Sequence, residues 1–538
     1  RLQFTKQFGE HFIDAYGGFR YASYSFDDNT PEGQRDSGTN DKQPNISANM
    51  TYINVKGIAD AWKNMTWYAN LDYNYRNRYF AQLTLAAESS SRFGENSSGL
   101  KLAGVKWGIF PSVQLGWAVT NEAWFPKTDA LNYLLVKAGF DLSGNDDINN
   151  YAARTSFGVV KYLNNLTAAQ LNNIGNDQIT YEKTRRINLG LQSYWLNNRL
   201  GVAFDYYINK TSNLLTLKSF DNPVAGINNY WSNGGSLQNT GFELTVTGKP
   251  IVSKNFNVEV GASMGHYVNK IQTLPNDDKI YIGGQLAGQG YTSSIYGKDN
   301  IATIVGYEAG SFYGYKFLGV FADDAQAAQA GSAGYLYMLD NTGAHKDFRA
   351  GDAHFADLNG DGKIGIEDRT IIGNPNPDIY GNIFTNIMWG NFTLSVGFNY
   401  SLGNDVFNYQ RSVLEGGNNF YNQTVAMTNR WRYEGQVTDI PRVSYDDPMG
   451  NSRFSDRWIE DGSYLRLKTL RLNYKVPVSL SWLQGLQIWA EANNLFTVTR
   501  YIGSDPEFSV ANGVLYQGID AGNVPLSRTF SMGMKINL

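Results

Sequence analysis

The clearest pattern of hydrophobic and polar positions lies at residues 529–538. Phe530, Met532, Met534, Ile536 and Leu538 occupy every second position there. Side chains of an extended strand alternate between its two faces, so these five share one face and the polar residues between them share the other. About ten residues is also the length that a tilted strand needs to cross a bilayer. The pattern therefore fits either a membrane strand or a strand packed on a soluble core.

The same alternation recurs along the chain and predicts fourteen strands. In 67–75 the apolar or aromatic positions alternate with Asn70, Asp72 and Asn74, a polar row that suits a water-filled lumen opposite a lipid face. In 464–476 the alternation changes phase between Thr469 and Leu470, which predicts a β-bulge. The predicted strands are 12–26, 67–75, 79–88, 109–119, 134–142, 187–195, 200–208, 242–246, 256–260, 379–389, 392–400, 464–476, 486–493 and 529–538.

The connections between these strands alternate between short and long. Outer-membrane barrels have short periplasmic turns and long extracellular loops, whereas a soluble sandwich has no reason to place every long loop at one end. The rhythm predicts an all-β chain forming a transmembrane antiparallel β-barrel, with the long connections outside the cell. Those long connections are 26–63, 89–108, 144–180, 210–236, 270–375, 405–463 and 499–525.

Composition agrees with this prediction and excludes other classes of protein. The chain has 56 Gly, 35 Tyr and 29 Phe but no Cys, and a large barrel closed by its own hydrogen bonds needs no disulfides. No apolar run approaches the length of a transmembrane helix. The net charge of −4, with both signs scattered, indicates no nucleic-acid partner. A secreted all-β protein would share the aromatic residues and glycines.

The connection 270–375 is unusually long and is expected to be one large insert, extracellular or folded into the lumen. The strand before it runs outward and the strand after it runs inward, so only an even number of membrane strands would fit between them. The strand-like stretch 313–321 is therefore not expected to cross the membrane. Residues 325–333 are rich in alanine and predict a short helix.

Residues 357–368 of this insert match a calcium-binding loop. Asp357, Asn359 and Asp361 stand at positions one, three and five, and Gly362 provides the sharp turn at position six. Lys363 would offer its backbone carbonyl at position seven, and Asp368 stands at position twelve, where Glu is usual. The spacing predicts a structural Ca²⁺ site. The alternative is an Asp/Asn/Gly-rich surface turn that needs no metal.

No residue pattern indicates catalysis, and the chain is not expected to be an enzyme. The four histidines are scattered, and no nucleophile or zinc-type spacing accompanies them. Aromatic residues in the long connections offer surfaces for a substrate or a partner, although girdle and loop-packing roles are the simpler interpretation. The candidate contact residues are Tyr230, Trp231, Tyr421 and Trp431.

A series of short motifs, taken together and in order, resembles the SusC/RagA family of TonB-dependent transporters from the Bacteroidetes outer membrane. The resemblance covers essentially the whole chain. The stretches that carry it are Ser90–Gly94, Phe110–Val113, Asn239–Glu243, Asp357–Asp368, Ile372–Pro375, Gly462–Lys468, Asn494–Thr497, Tyr501–Glu507 and the terminal strand.

The resemblance implies a barrel of 22 strands that holds an N-terminal plug, with a segment ahead of the plug that contacts the TonB complex. It also implies a SusD-like surface lipoprotein that covers the barrel and delivers glycan oligosaccharides or peptides. By the count of strands, this chain would be the C-terminal barrel portion, about fourteen strands, without the plug and the first eight strands. The expected location is the outer membrane, in contact with its lipid.

Two other functions stay open at this stage, a passive porin in which the fourteen strands close on themselves and a surface adhesin or structural barrel. For the importer, connections 210–236, 270–375 and 405–463 are expected to form the docking face for the lipoprotein. Long loops usually carry function, and exposed aromatic residues are enriched at protein interfaces. A rival interpretation folds these loops inward to narrow the pore.

Overall fold

The computed structural model describes residues 1–537 apart from 36–49, 163–165, 225, 275–289, 332–333, 341, 479–481, 508–509 and 512. Strands dominate the described residues, and the helices are short. The helices are α1 (Asp324–Ala328) and α2 (Tyr409–Leu414), with 3-10 turns at Val119–Asn121, Ile366–Asp368, Val425–Asn429, Asp456–Trp458 and Val514–Tyr516. None of these described helices is long and apolar enough to span a bilayer.

The strands follow the chain from end to end. They are β1 (Leu2–Phe8), β2 (His11–Arg35), β3 (Met50–Tyr75), β4 (Tyr79–Ser90), β5 (Leu100–Leu102), β6 (Val105–Ala118), β7 (Leu131–Asn145), β8 (Ser156–Tyr162), β9 (Leu166–Asn173), β10 (Glu182–Trp195), β11 (Leu200–Ser212), β12 (Leu215–Val224), β13 (Ile227–Asn233), β14 (Ser236–Val252), β15 (Phe256–Thr273), β16 (Gly290–Ser293), β17 (Ile301–Ile304), β18 (Ser311–Tyr315), β19 (Phe317–Val320), β20 (Tyr337–Leu339), β21 (His345–Asp347), β22 (Ala353–Phe355), β23 (Arg369–Gly373), β24 (Ile379–Trp389), β25 (Phe392–Leu402), β26 (Asp405–Asn408), β27 (Ile459–Asp461), β28 (Tyr464–Val476), β29 (Gly485–Thr499), β30 (Ile519–Asp520) and β31 (Thr529–Asn537).

One large antiparallel sheet contains all fourteen strands expected from the alternation. Its order of hydrogen-bonded neighbours is β1-β2-β3-β4-β6-β7-β10-β11-β14-β15-β24-β25-β28-β29-β31, with the short β5 paired to β6. Each strand in this order is a neighbour of the strand that precedes it in the sheet. The prediction missed β1, so its first strand, 12–26, is in fact the second.

Tight turns join the strands at the short connections. Between β3 and β4, Arg76 and Asn77 both have positive φ, 55° and 51°, as a two-residue hairpin turn with the right-handed twist of strands requires. The Asn74 side chain donates to Asn77 Oδ1 at 2.6 Å and fixes the turn. The pairing that follows, from Tyr75 with Tyr79 to Asn64 with Ser90, therefore has a single register.

The long connections differ from the expectation in their internal structure. The connection expected at 26–63 is mostly strand, because β2 and β3 remain paired as far as Arg35 and Met50; residues 36–49 lie outside the described part. Connections 144–180 and 210–236 contain the hairpins β8–β9 and β12–β13. Each stretch pairs with itself, which satisfies its backbone groups without lengthening the large sheet.

Three smaller expectations also need correction. The bulge in β28 lies at Lys468, which is skipped when Leu467 pairs with Phe398 and Thr469 with Gly397, rather than between residues 469 and 470. Residues 313–321 form parts of two strands, β18 and β19, that pair outside the large sheet. The helix expected at 325–333 is shorter, with Asp323 accepting the Gln326 backbone N–H at its start.

The chain divides into two compact units. The first contains Arg1–Leu115, Gly139–Arg185 and Thr211–Gly234, and its buried cluster is formed by Ile148, Ala152, Ala153 and Ile179. The second contains Gly116–Ala138, Arg186–Lys210 and Gly235–Leu538, with two larger hydrophobic clusters. Those two clusters lie in the long connections, not between strands of the large sheet.

Candidate functional site

The sheet has a polar face lined by a hydrogen-bonded row of side chains. In β3 and β4, Asn70 donates to Asp72 at 2.7 Å and accepts from the Thr84 hydroxyl at 2.7 Å. One rung further along, the Asn64 amide donates to Glu88 at 2.8 Å. Neighbouring strands place directly opposed residues on the same face, so these bonds extend from strand to strand.

The polar face continues in the second unit with charged pairs. Arg471 of β28 lies 3.2 Å from Glu491 of β29, and Asn493 donates to the same carboxylate at 2.9 Å. Lys137 of β7 lies 3.5 Å from Asp205 of β11. Such pairs are partly exposed to water, which suits a solvated channel wall better than a protein core.

The opposite face presents large apolar side chains that no other part of the chain covers. Trp67, Leu85 and Leu189 remain about half exposed even though their strands lie within the sheet. A soluble protein rarely leaves a continuous apolar surface of this kind, so it indicates contact with lipid or with another protein. Further members of this face are Leu83, Leu115, Val136, Phe140, Ile187, Val260, Phe530, Met532, Met534 and Ile536.

The long connections 274–378, 403–463 and 500–528 fold together into a layer with its own cores, called the loop layer below. One core contains Phe321, Phe348 and Phe355 together with Met449. The other joins all three connections and contains Ile301, Phe312, Phe407, Trp458 and Ile519. The sequence predicted one insert, whereas the structure shows three connections that share buried residues.

A fully buried carboxylate fastens two of these connections together. Asp352 accepts two hydrogen bonds from Arg442, at 2.8 and 3.0 Å, and one from the Asn451 amide at 2.9 Å. The Arg349 backbone N–H donates to it as well, at 2.9 Å. A buried carboxylate with four donors is compensated for the loss of water, and removing a donor would leave it unpaired.

A second buried pair joins the sheet to the loop layer. Arg466 of β28 lies 2.5 Å from Asp505 and also donates to the Thr497 hydroxyl at 2.9 Å. Asp505 accepts the backbone N–H groups of Glu507 and Leu526, at 2.9 and 3.0 Å. Both members of the pair are almost completely buried. The last long connection is therefore fixed to the end of β28.

The calcium-type loop coils as its sequence predicts, and its carboxylates are turned toward its own backbone. Asp357 accepts the N–H groups of Gly360 and Gly362, both at 2.7 Å. Asp368, which is fully buried, accepts those of Leu358 and Gly365 at 2.9 and 2.7 Å. The first and last ligand positions are thus held near one another by local hydrogen bonds.

The other predicted ligands of this loop are more exposed. Asn359 donates to Asp361 at 3.1 Å, and the Lys363 backbone N–H donates to Asp361 at 2.8 Å. The Lys363 ammonium lies 3.9 Å from Glu367. In the described part of the chain, no group of three or more His, Cys, Asp or Glu side chains is arranged to hold a metal ion. Calcium binding here stays a prediction.

The four predicted contact aromatics fall in different surroundings. Tyr230 and Trp231 lie on β13 of the first unit, and the Trp231 ring packs on the buried cluster there. Trp431 is half-buried, donates to the Ala322 carbonyl at 3.0 Å, and lies against Gly351, whose φ of +83° leaves no room for a side chain. Only Tyr421 presents a largely exposed ring.

The sequence analysis gave no weight to the apolar residues around Tyr421. Phe420 is 89% exposed and packs against Tyr445 at 4.9 Å between ring centroids, and Val437 is 90% exposed. The backbone beneath them is ordered, since Ser444 and Asp446 donate to the carbonyls of residues 417 and 418. Exposed apolar side chains on a fixed loop are a signal for an interface that single-residue inspection does not provide.

The histidines have structural partners. His11 contacts the Tyr73 hydroxyl at 2.7 Å, and His266 contacts the Asp378 carbonyl at 2.6 Å. His345 pairs with Asp347 at 2.7 Å, and His354 stacks on Phe321 at 4.4 Å. Burial lowers the pKa of His354, so its ring is neutral at physiological pH.

Comparisons with known proteins confirm the resemblance to the SusC/RagA type of TonB-dependent transporter. No protein-family model matches the chain. It is 28% identical to TonB-dependent receptor P3 of Formosa agariphila, over 99% of this chain and 51% of that protein. It is 27% identical to TonB-dependent receptor SusC of Bacteroides thetaiotaomicron, over 88% of this chain and 43% of SusC. These relatives have the names of receptors, not of enzymes.

Among solved structures, a chain of the RagAB peptide transporter has the same fold. It superposes with a TM-score of 0.78 at 21% sequence identity, over 99% of this chain and 54% of that chain. The RagAB peptide importer in its open-open state gives a TM-score of 0.75. The chain spans about half the length of the curated relatives and the solved structures that it matches.

Proposed function

We propose that this chain is the barrel portion of a SusC-like TonB-dependent importer in the bacterial outer membrane. The observation that carries the proposal is the division of one large sheet into a hydrogen-bonded polar face and an uncovered apolar face. Such a sheet suits lipid on one side and a water-filled passage on the other. The long connections also follow every second strand, so they gather at one end of the sheet.

The importer takes up glycan oligosaccharides or peptides, and it works with partners that lie outside this chain. These are a plug and further strands, the TonB complex, and a SusD-like surface lipoprotein. Support for the partners comes from the likeness to SusC and to the RagAB structures. The end strands of the sheet order, β1 and β31, are where further strands of the same barrel would pair.

A transport assay tests the proposal against the passive porin. The full-length protein is produced in cells with and without a functional TonB, and uptake of labelled oligosaccharide and peptide mixtures is measured. We expect uptake to stop without TonB, because displacement of a plug needs that energy source. Equal uptake in both strains would favour the porin, and no uptake of any solute would favour the structural barrel.

The docking surface for the lipoprotein is placed on the loop layer, around Phe420 and Tyr421. Exposed aromatic residues on an ordered loop supply contact area at a small entropic cost. The double variant Phe420→Ser/Tyr421→Ser is expected to reduce the lipoprotein that co-purifies with a tagged barrel. Val524→Ser is the control, because Val524 is equally exposed on a different connection. Full co-purification with the double variant would show that this docking surface is wrong.

A further inference from the structure

The apolar face of the first unit contains a shallow hollow that the membrane-facing interpretation does not require. It has a volume of about 740 Å³ and crosses β1, β2, β3 and β4. Directly opposed residues form one row, Leu2, Gly17, Ala69 and Leu85, and the next row is Phe4, Ala15, Leu71 and Leu83. Small side chains at Ala15, Gly17 and Ala69 stand between larger ones. The hollow has the width of an extended hydrocarbon chain rather than of a second protein.

Directly above the hollow, on the same strands, the surface changes from aliphatic to aromatic and then to polar. The next row outward pairs Phe19 with Trp67, whose rings lie 4.7 Å apart. Two residues further along β3 is Met65, and two beyond that is Lys63. From Tyr75 to Lys63 a strand rises about 40 Å, or about 30 Å when tilted, and the apolar band of such barrels is about 25 Å tall. Lys63 therefore lies at the level of the lipid headgroups.

At that level there is a pocket of about 570 Å³ lined by lysines and hydroxyl groups. Lys63, Lys101 and Lys106 line it, against one acid, Glu95. The remaining polar lining is mostly serine, and the Ser91 hydroxyl accepts the backbone N–H of Lys63 at 2.8 Å. Further lining residues include Tyr21, Met65, Ser89, Ser97 and Ser98.

Two of these lysines are placed where they repel each other. Lys101 of β5 and Lys106 of β6 are directly opposed in the register of the pair. Like charges in that arrangement destabilise a strand pair, and none of the three ammonium groups has an ion pair with a described residue. An anion in the pocket would remove the repulsion.

We propose that the pocket and the hollow together bind one phosphorylated lipid of the outer leaflet. The phosphate contacts Lys63, Lys101 and Lys106, while an acyl chain lies in the hollow at Gly17 and Ala69. The charge of the pocket selects an anionic headgroup, and the alignment of the two sites along one set of strands selects a molecule with a chain below its phosphate. The inference rests on the proposed membrane location of the sheet.

The test measures lipid retention by native mass spectrometry of the full-length protein from nanodiscs. The discs contain phosphatidylcholine with either diphosphorylated lipid A or the same lipid A after phosphatase treatment. We expect the phosphorylated form to be retained preferentially. Lys101→Gln/Lys106→Gln should weaken retention roughly thirtyfold, at about one kcal/mol for each lysine. Equal retention of both lipid A forms, or unchanged retention in this variant, would overturn the inference.

The matched control for charge is Lys127→Gln/Lys254→Gln, which removes two lysines at the short connections. Thermal unfolding without lipid A adds a second readout. There, Lys101→Gln/Lys106→Gln should be at least as stable as the parent, because the repulsion is gone. If it is less stable without the lipid, the lysines are structural and the inference fails.

A third variant tests the hollow and separates a lipid from free phosphate. Gly17→Leu fills the hollow, and its Cβ would meet only the Tyr68 carbonyl at 3.4 Å; Gly248→Leu, with its nearest neighbour at 3.6 Å, is the control. Gly17→Leu should weaken retention about tenfold. If it has no effect and inorganic pyrophosphate displaces the lipid fully, the ligand is a soluble phosphate. Failure of the parent protein to insert into the discs at all would instead contradict the proposed function.

Discussion

Two tryptophans represent the two regions of this molecule. Trp67 lies in the middle of the large sheet and is 56% exposed, whereas Trp458 lies in the loop layer and is 1% exposed. Trp458 also donates its indole N–H to the Arg453 carbonyl at 3.1 Å and packs in a cluster contributed by three connections. The same side chain is therefore outside the fold in one region and central to it in the other.

The difference teaches that the two regions are stabilised by different means. The sheet satisfies its backbone through long ladders, and its apolar side chains need a surrounding apolar solvent. The loop layer buries its own apolar groups and compensates its buried charges with several donors each, as a water-soluble domain does. Substitutions should accordingly have opposite effects in the two regions.

The largest expected effect comes from emptying the core of the loop layer. Trp458→Ala should destabilise that layer by about 3–5 kcal/mol, because a large cavity remains. Trp67→Ala in detergent should change stability by no more than about 1 kcal/mol, since no protein contact is lost. Hydrogen exchange of β18 and β26 measures the first effect. Equal protection in the two variants would break the comparison.

The pair between the sheet and the loop layer should have nearly as large an effect. Arg466→Met leaves Asp505 buried without its partner, at an expected cost of about 3–5 kcal/mol. Arg466→Met/Asp505→Leu should recover much of the loss, because both charges are gone. Proteolysis of connection 500–528 measures both variants. A double variant as sensitive as the single one would contradict this account of the pair.

The strands of the sheet were predictable because alternation is a local property of the sequence. All fourteen expected strands are present, since each needs only its own residues to define its two faces. The missed β1 is too short and too polar to stand out, with Lys6 and Gln7 near its end. The bulge was displaced because Lys468 can extend from either phase of the pattern.

The loop layer was not predictable in the same way. Its contacts join residues far apart in the chain, such as Asp352 with Arg442 and Phe312 with Trp458, and no local period marks them. For the same reason the predicted Trp431 contact lies in a packed position, whereas the exposed Phe420 was given no weight. The calcium-type loop was recognisable because all of its positions lie within one short segment.

The third prediction concerns this loop. If Asp357, Asn359, Asp361 and Asp368 chelate Ca²⁺, saturating calcium should stabilise the loop layer by about 1–3 kcal/mol by mass action. Asp361→Ala should abolish that gain, whereas Asp340→Ala, in a separate turn, should retain it. The measurement is protease sensitivity of 350–375 in calcium and in chelator. Identical sensitivity in both buffers would leave the surface turn as the explanation.

The smallest effect concerns pH. Burial lowers the pKa of His354 below its ordinary value of 6.5. The unfolded chain then binds more protons than the folded one near that pH, so the contribution is full above about 6.5 and is lost as the pH falls. His354→Phe should flatten the acid side of the stability curve, and His345→Phe, at an exposed site, should not. An unchanged profile in His354→Phe would contradict this assignment.

The most direct test of the membrane-spanning sheet is the accessibility of its two ends in living cells. The chain has no cysteine, so single cysteines can be placed freely. Val437→Cys and Val524→Cys lie on long connections, and Lys254→Cys lies on a short one. We expect a membrane-impermeant maleimide to label the first two in intact cells and Lys254→Cys only after the outer membrane is opened. Labelling of all three in intact cells would contradict the account.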